Sequence, residues 1–336
     1  MRRCRETIDD VYKELSENFT ELREKIRLFH KDLGKEVEEE VRKRWIPYTP
    51  IKSMKRYLAI DGGEYIKELR VGTIYVVNAE ALLSEGMETK PVDKFSKVGV
   101  FRPANYAKER VSELMATVEV KLALKNGGRA DLILMDGSFS KKLGDANGME
   151  SKLDFNVDGI ASLSLKDEDE MYRSLVVEKQ VVMSKLLNTY DNKVLWISKT
   201  SRNMDMFRRG IPDIVVLETF TEEVGYTSPE CKGVDVTKLA HHTEVNLQSF
   251  VVCRSFIRLK RASKVLKLDV VSKLPIDEAF IRKVVDDLSA VAVKGYPYPL
   301  LKVHFDVKVK KGDRERITRM LGLHKPGVDW WPNQFF

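Results

Sequence analysis

Two aspartates, each followed by a glycine, stand directly after short apolar segments of the sequence. Residues 57–60 lead into Asp61-Gly62-Gly63, and residues 132–135 lead into Asp136-Gly137-Ser138. Each pattern predicts a buried strand that ends in a carboxylate, with glycines that let the backbone turn sharply or approach a ligand closely. A carboxylate at the edge of a core shifts its pKa, finds a cationic partner or holds a metal ion. A single pattern of this kind is more typical of an ordinary turn.

The elements between the two aspartates predict that the aspartates meet. The order is strand, strand, strand, helix, strand, over residues 57–61, 71–78, 97–101, about 105–126 and 132–136. If the last strand lies parallel to the first, the crossover helix places both strand C-termini at one edge of the sheet. We therefore expect Asp61 and Asp136 to be neighbours.

The crossover helix offers two acids for the same site. Glu119 shares its helix face with Met115 and Leu122 and is predicted to point inward. Glu113 follows Glu109 on a face predicted to be solvated. At roughly 100° per residue the two glutamates point about 120° apart and do not serve one metal ion. We select Glu119; the alternative is a helix-face glutamate paired with a nearby lysine or arginine.

Three carboxylates without a cysteine or histidine framework favour Mg²⁺ or Mn²⁺ over zinc. Two such ions about 4 Å apart can activate a water molecule and stabilise the leaving oxygen of a phosphodiester. The predicted chemistry is phosphodiester hydrolysis.

The composition is that of a globular chain, with 43% hydrophobic and 32% charged residues among 336. No segment approaches the roughly 20 apolar residues that span a bilayer, and the Arg-rich start lacks the apolar region of a signal peptide. We expect a cytoplasmic protein. Cys4, Cys231 and Cys253 are an odd number without CxxC spacing, which predicts reduced thiols.

Basic residues are concentrated in the C-terminal half. They form two clusters, as expected of a surface that meets a polyanion, although a solvated face is the ordinary alternative. The first comprises Arg254, Arg258, Lys260, Arg261, Lys264 and Lys267, and the second Lys308, Lys310, Lys311, Arg314, Arg316 and Arg319.

The remaining segments complete an α/β pattern. Residues 6–46 predict a helical arm interrupted at Gly34 and ended by Pro47. Residues 139–168 read as loop. Helices are predicted near 170–188 and 276–290, strands near 193–199, 214–217 and 301–304, and a hairpin over 249–257 and 264–271.

Together, Asp61-Gly62-Gly63, Glu119, Asp136-Gly137-Ser138 and Gly295-Tyr296-Pro297…Leu300…His304 resemble the archaeal NurA nuclease family over roughly residues 50–325. The resemblance implies an RNase H-like α/β fold related to the PIWI domain, a mixed sheet flanked by helices. It divides the chain into an N-terminal helical arm and linker (1–50), a nuclease domain with insertions (51–325) and an aromatic C-terminal tail (326–336).

The resemblance also implies an activity and partners. It implies a homodimer around a central channel that degrades DNA with Mn²⁺; the carboxylates themselves predict Mn²⁺ or Mg²⁺, in two ions. The implied activities are 5′–3′ exonuclease and single-strand endonuclease, working with the hexameric HerA ATPase in DNA end resection during recombinational repair.

The resemblance makes Asp61, Glu119 and Asp136 metal ligands, His304 a further metal-site residue and Tyr296 an active-site tyrosine. From the residues alone, a histidine in an apolar strand is more typical of a core, and the Tyr-Pro pairs of a turn. Lys199 is an additional candidate for contact with the scissile phosphate, or an ordinary strand-end lysine.

Other interpretations remain open at this point. The same fold could be a non-catalytic nucleic-acid-binding or assembly subunit, whereas an acid-pair phosphotransferase lacks a Gly-rich phosphate loop in this sequence. His241, His242 and His324 lack metal-ligand spacing and are interpreted as structural. An exposed aromatic tail, predicted to dock on the protein itself, on a second subunit or on a partner, contains Trp330, Trp331, Phe335 and Phe336.

Overall fold

The computed structural model describes residues 3–31, 34–69, 72–102 and 106–322. The predicted aromatic tail and His324 lie outside these residues. The helices are α1 (Arg3–Glu17), α2 (Phe19–Lys31), α3 (Lys35–Arg44), α4 (Ala107–Asn126), α5 (Phe139–Leu143), α6 (Glu168–Thr189), α7 (Asp213–Phe220), α8 (Glu278–Ala290), α9 (Tyr298–Val307) and α10 (Lys311–Met320).

The strands are β1 (Trp45–Pro47), β2 (Arg56–Leu69), β3 (Gly72–Glu85), β4 (Glu88–Phe101), β5 (Leu132–Asp136), β6 (Val194–Ser198), β7 (Gly225–Thr227), β8 (Glu230–Gly233), β9 (Val251–Arg258), β10 (Leu266–Ser272), β11 (Ala292–Val293) and β12 (Tyr296–Pro297). Short 3₁₀ turns cover Gly127–Arg129, Ala161–Ser164 and Val236–Lys238.

One mixed sheet organises the molecule, with the strand order β1-β7-β9-β10-β6-β5-β2-β3-β4 and β8 beside β9. Strands β2, β3 and β4 pair antiparallel in sequence order, and α4 then crosses over to β5, which lies parallel to β2. Strand β6 continues parallel to β5, and β10 returns antiparallel to β6. This is the RNase H-like arrangement that the sequence predicted, and the fold prediction is confirmed.

The central strands are buried on both faces, so their side chains alternate between two cores. Leu58 and Ile60 of β2 join the core under α4 and α6. Tyr57 and Ala59 join the core formed with α8 and α9. By the same alternation, Asp61 and Asp136 project to the α9 side of the sheet.

Buried ion pairs fix the rotation of α4 against α6. Lys121 Nζ donates to Glu178 Oε1 at 2.6 Å and to two backbone carbonyl oxygens, and Ser162 donates to the other oxygen of Glu178. Arg110, near the start of α4, pairs with Glu168 at 2.7 Å. Removing one partner of such a pair typically costs about 3–5 kcal/mol, so α4 is held in one orientation.

Two predicted strands are helices. Residues 214–217 lie in α7, because a short apolar run fits a buried helix as well as a strand. Residues 301–304 lie in α9, whose buried Leu300, Val303 and Val307 follow helical spacing. His304 is therefore a helix residue, and the packing of α9 decides where its side chain lies.

The predicted helical arm consists of the separate helices α1, α2 and α3. The N-terminal hairpins are longer than predicted, since β2, β3 and β4 have 14 residues each. The outer half of β4 was not predicted, because its polar and charged residues do not form an apolar run. None of the described helices is long and apolar enough to cross a membrane.

The prediction of reduced thiols is wrong for two of the three cysteines. Cys231 and Cys253 face each other in the antiparallel register of β8 and β9 and form a disulfide. They are 22 residues apart in sequence, and only strand pairing brings them together.

Candidate active site

Asp61 and Asp136 lie side by side on the two parallel strands at the centre of the sheet. Ile60 of β2 pairs with Met135 of β5, so each aspartate follows a paired residue. Asp61, Asp136 and His304 each offer a ligand atom, and these atoms lie within 4.8 Å of one another. The expected meeting of the two aspartates is thus observed.

His304 reaches this pair from α9, which packs on the same face of the sheet. His304 Nδ1 lies 2.7 Å from Asp61 Oδ2, a hydrogen-bonding distance if the proton is on Nδ1. The histidine side chain is 48% exposed and that of Asp61 only 8%. The cluster therefore has a buried carboxylate at its base and an imidazole open to an incoming ligand.

Burial and charge repulsion both act on Asp61. Burial is the larger cause that raises the pKa of Asp61, and the neighbouring Asp136 raises it further, whereas the contact with His304 lowers it. Two facing carboxylates in a protected position gain most from a bound cation.

Tyr296 and Lys199 extend the cluster. Tyr296 donates its hydroxyl proton to Asp136 Oδ1 at 3.0 Å. Burial first, and then the charge of Asp136, raise the pKa of the Tyr296 hydroxyl above its ordinary value, so it remains a donor. Lys199 Nζ stands 4.3 Å from the centre of the Tyr296 ring, which places a cation beside the cluster.

The glycines after Asp61 do not form the predicted turn. Strand β2 continues through Gly62 and Gly63 to Leu69. A Cβ at Gly62 would lie 2.8 Å from Glu119 Oε1, and a Cβ at Gly63 would collide with the carbonyl oxygen of Val307. The close approach is therefore that of two helices, α4 on one face and α9 on the other.

Glu119 is buried, with 2% exposure, as the helix phase predicted. It reaches the strand past Gly62 from the face opposite Asp61, and it is not part of the compact group of Asp61, Asp136 and His304. Instead its Oε2 is in ion-pair contact with Lys142 Nζ of α5.

Glu113 does not lie on a solvated face, contrary to the prediction. Lys179 of α6 is buried, and its Nζ donates to Glu113 Oε2 at 2.5 Å. Glu113 thus neutralises a lysine between two helices, and its role is structural.

The two basic clusters differ. In the first, Arg258 is buried and donates to Thr221 Oγ1, and Lys267 is buried against Asp269. Arg258 and Lys267 are therefore not part of a basic surface, contrary to the prediction. All members of the second cluster are exposed, on α10 and the segment before it. Arg314 of this cluster stands over Tyr65 of β2, the strand that carries Asp61.

Sequence reasoning missed Lys142, which lies six residues after Asp136 in a segment predicted as loop. No sequence pattern marks it, because its partner Glu119 is on another helix. The helical spacing of Leu300, Val303 and Val307 could have shown that His304 belongs to a helix.

An RNase H-like sheet with two aspartates and a histidine at the centre defines a metal-dependent nuclease of the RNase H-like class. Comparison with known proteins narrows this class. The NurA domain matches residues 55–309, and the chain belongs to the NurA family. The resemblance noted from the residues is confirmed.

Two curated relatives, both named DNA double-strand break repair nuclease NurA, match nearly the whole chain. The protein of Sulfurisphaera tokodaii is 40% identical and that of Saccharolobus solfataricus 37%, and each match covers 98% of this chain and 100% of the relative. The crystal structure of the NurA nuclease from Sulfolobus solfataricus superposes with a TM-score of 0.81 at 35% identity, covering 95% of this chain and 99% of that one.

A more distant NurA crystal structure, described as containing manganese, superposes with a TM-score of 0.60 at 14% identity, covering 95% of this chain and 98% of that one. It supports the fold of this chain.

Proposed function

We infer that this chain is a DNA nuclease that hydrolyses phosphodiesters with divalent metal ions at the cluster of Asp61, Asp136 and His304. The observation that carries this conclusion is the convergence of these three ligand atoms within 4.8 Å on a NurA fold. Family membership supports the nuclease assignment, and the donor set supports the metal.

The donors fit a hard divalent cation. Two carboxylates and an imidazole suit Mn²⁺ or Mg²⁺, and the buried Asp61 and its neighbour Asp136 require positive charge between them. We propose Mn²⁺, in two ions, with Glu119 as the third acidic ligand. When bound, such ions polarise the phosphate and lower the pKa of an attacking water molecule.

The protein's own groups then have distinct roles. Asp61 and Asp136 would hold the cation on the side of the sheet against which α9 packs. Tyr296 donates to Asp136 and keeps one of its oxygens fixed. His304, with Nδ1 toward Asp61, presents Nε2 to orient the attacking water, and Lys199 is positioned to meet a phosphate oxygen.

The exposed basic residues of α10 and the segment before it provide a surface for the DNA backbone. Phosphate contacts of this kind carry no sequence information, so binding should weaken steeply as salt is added. We propose that DNA enters over α10 toward Asp61, and that digestion is 5′–3′ on ends and endonucleolytic on single strands, as the NurA resemblance implies.

A single experiment tests the activity. The full chain is incubated with labelled single-stranded and duplex DNA in Mn²⁺, Mg²⁺ or EDTA, beside the Asp61→Ala variant. We expect cleavage in Mn²⁺ that is lost in EDTA and in the variant. Cleavage that persists in either would contradict the metal mechanism, and DNA binding without cleavage in any metal would favour a binding subunit.

We further propose a homodimer formed through α1 and α2. Their exposed apolar side chains recur every three or four residues, at 41–65% exposure, and comprise Ile8, Val11, Tyr12, Leu15, Phe19 and Leu22. Charged groups of both signs flank this stripe, for example Lys25 and Glu21. An identical stripe running antiparallel would bury the apolar groups and match the charges.

Light scattering tests the dimer. We expect twice the mass of the 38.6 kDa chain, and a monomer for a variant carrying Leu15→Ser and Phe19→Ser. A wild-type mass near that of one chain would contradict the proposal.

Among the remaining proposals, the cytoplasmic location rests on the composition, and the others rest on the NurA resemblance. These proposals are a cytoplasmic protein, an arm–domain–tail division at residues 50 and 325, and cooperation with a hexameric HerA translocase in DNA end resection. Co-elution of the two purified proteins, with ATP-stimulated digestion of duplex ends, is the expected result for the translocase.

A further inference from the structure

Lys142 is a cation that the fold has already placed beside the proposed metal ligands. It lies on the short helix α5, which begins three residues after Asp136. Its side chain is 16% exposed, and its ammonium group is in contact with Glu119 Oε2, on a side chain that is 2% exposed. Among the described residues, no hydrogen-bond donor other than this ammonium reaches that oxygen.

The Lys142 ammonium also interacts with the negative charge of Asp61. Burial lowers the pKa of the Lys142 ammonium to about 8, and the negative charge of Asp61 opposes this shift. Glu119 Oε1 approaches β2 at Gly62, the residue after Asp61, where a side chain would obstruct it. The Lys142 ammonium thus contacts Oε2 of Glu119, while Oε1 of the same carboxylate lies beside Gly62.

We propose that Lys142 is a positioning residue that neutralises Glu119 in the metal-free protein and is displaced from it when a divalent cation binds. This inference rests on the proposed metal centre. The geometry gives a reason for it: a buried, unpaired Glu119 would destabilise the metal-free fold, whereas the lysine supplies positive charge until the ion does. The same lysine then weakens the affinity for metal, because Glu119 must exchange one cation for another.

The position of Lys142 on α5 allows the exchange. Its side chain is partly exposed and its helix has five residues, so the ammonium can turn toward solvent. A second lysine, Lys179 of α6, is 1% exposed and held by Glu113. The two lysines therefore provide a matched comparison between an exchangeable and a structural cation.

The test is direct Mn²⁺ binding to the full chain without DNA, measured from the electron paramagnetic resonance of free Mn²⁺. We expect Lys142→Met to bind Mn²⁺ about tenfold more tightly than the wild type, since the competing charge is gone. Metal-free Lys142→Met should melt at a lower temperature, and saturating Mn²⁺ should raise its melting temperature more than that of the wild type.

Two control variants separate this role from a structural one. Lys141→Met, on the same helix but exposed, should change neither property. Lys179→Met should lower the melting temperature with unchanged Mn²⁺ affinity. If Lys142→Met does not fold without metal, Lys142→Gln replaces it in the same comparison.

A double-variant cycle identifies the partner. In the Glu119→Gln background, Lys142→Met should give a much smaller gain in Mn²⁺ affinity than it gives alone. An equal gain in both backgrounds, or no gain in either, would overturn the proposal. A wild-type protein that binds no Mn²⁺ would instead remove the proposed metal centre itself.

Discussion

Gly63→Ala tests how the histidine is brought to the aspartates. Gly63 lies in β2 two residues after Asp61, on the face against which α9 packs. A Cβ there would lie 2.5 Å from Asn78 Oδ1 and would collide with the backbone carbonyl of Val307 at the end of α9. Because α9 also carries His304, any movement of the helix moves the imidazole away from Asp61.

The expected magnitude follows from the collision with backbone. Overpacking of this kind costs roughly 1–3 kcal/mol. We take about 3 kcal/mol because the colliding atom is a backbone carbonyl oxygen, which cannot rotate away as a side chain can. Alanine recovers up to about 1 kcal/mol relative to glycine inside a strand. The net loss of about 2 kcal/mol corresponds to a melting temperature lower by about 3 °C for a chain of this size.

The effect on activity should be much larger than the effect on stability. Relief of the collision requires α9 to move by about 1 Å, and a displacement of that size in a catalytic group costs on the order of 100-fold in rate. The assay is Mn²⁺-dependent cleavage of labelled single-stranded DNA, with thermal unfolding of the same samples.

Two other glycines provide a control, Gly312, and a comparison, Gly62. At Gly312, no atom of the described residues lies within 4 Å of an added Cβ, so Gly312→Ala should be silent in both measurements. At Gly62 the nearest atoms to an added Cβ would belong to side chains, Met115 Cγ at 2.6 Å and Glu119 Oε1 at 2.8 Å. Gly62→Ala should therefore fold but cleave DNA poorly. Full activity and an unchanged melting temperature in Gly63→Ala would refute the idea that α9 approaches through this glycine.

Glu113→Gln should lower the free energy of unfolding by about 3 kcal/mol, because it leaves Lys179 buried without its counter-charge. The Mn²⁺ affinity should stay unchanged. A urea unfolding curve identical to that of the wild type would contradict this prediction. Tyr296→Phe should fold normally and lower kcat/KM for DNA cleavage by roughly tenfold or more, since a hydrogen bond to a charged group is lost; unchanged kinetics would exclude that role. The Cys231–Cys253 disulfide closes a loop of 22 residues, and its reduction should lower the free energy of unfolding by about 3 kcal/mol. A Cys231→Ser, Cys253→Ser protein is the reference. Coincident urea unfolding curves with and without reductant would refute this prediction.

The sequence by itself determined the repeated pattern of the site. An apolar run followed by Asp61-Gly62, a crossover helix and a second run followed by Asp136-Gly137 are typical of a parallel strand pair, and parallel pairing places both acids at one edge of the sheet. The rotation of α4 could also be predicted for Glu119, because helix periodicity is a local property of the chain.

Other features were decided by the tertiary structure, because they depend on groups far apart in sequence. Glu113 lies on a face that local periodicity assigns to solvent, but α6 covers it with Lys179. The segment that carries His304 is short and apolar, which fits a strand or a helix, and packing on β2 selects the helix.

The meaning of the glycines changed most. In the sequence, Gly62 and Gly63 indicate a turn after a strand. In the fold the strand runs on, and the missing side chains admit Glu119 from one face and the end of α9 from the other. The sequence around a glycine looks the same whether the glycine forms a turn or permits a close contact. Only the packing of two helices against one strand shows that Gly62 and Gly63 permit close contacts.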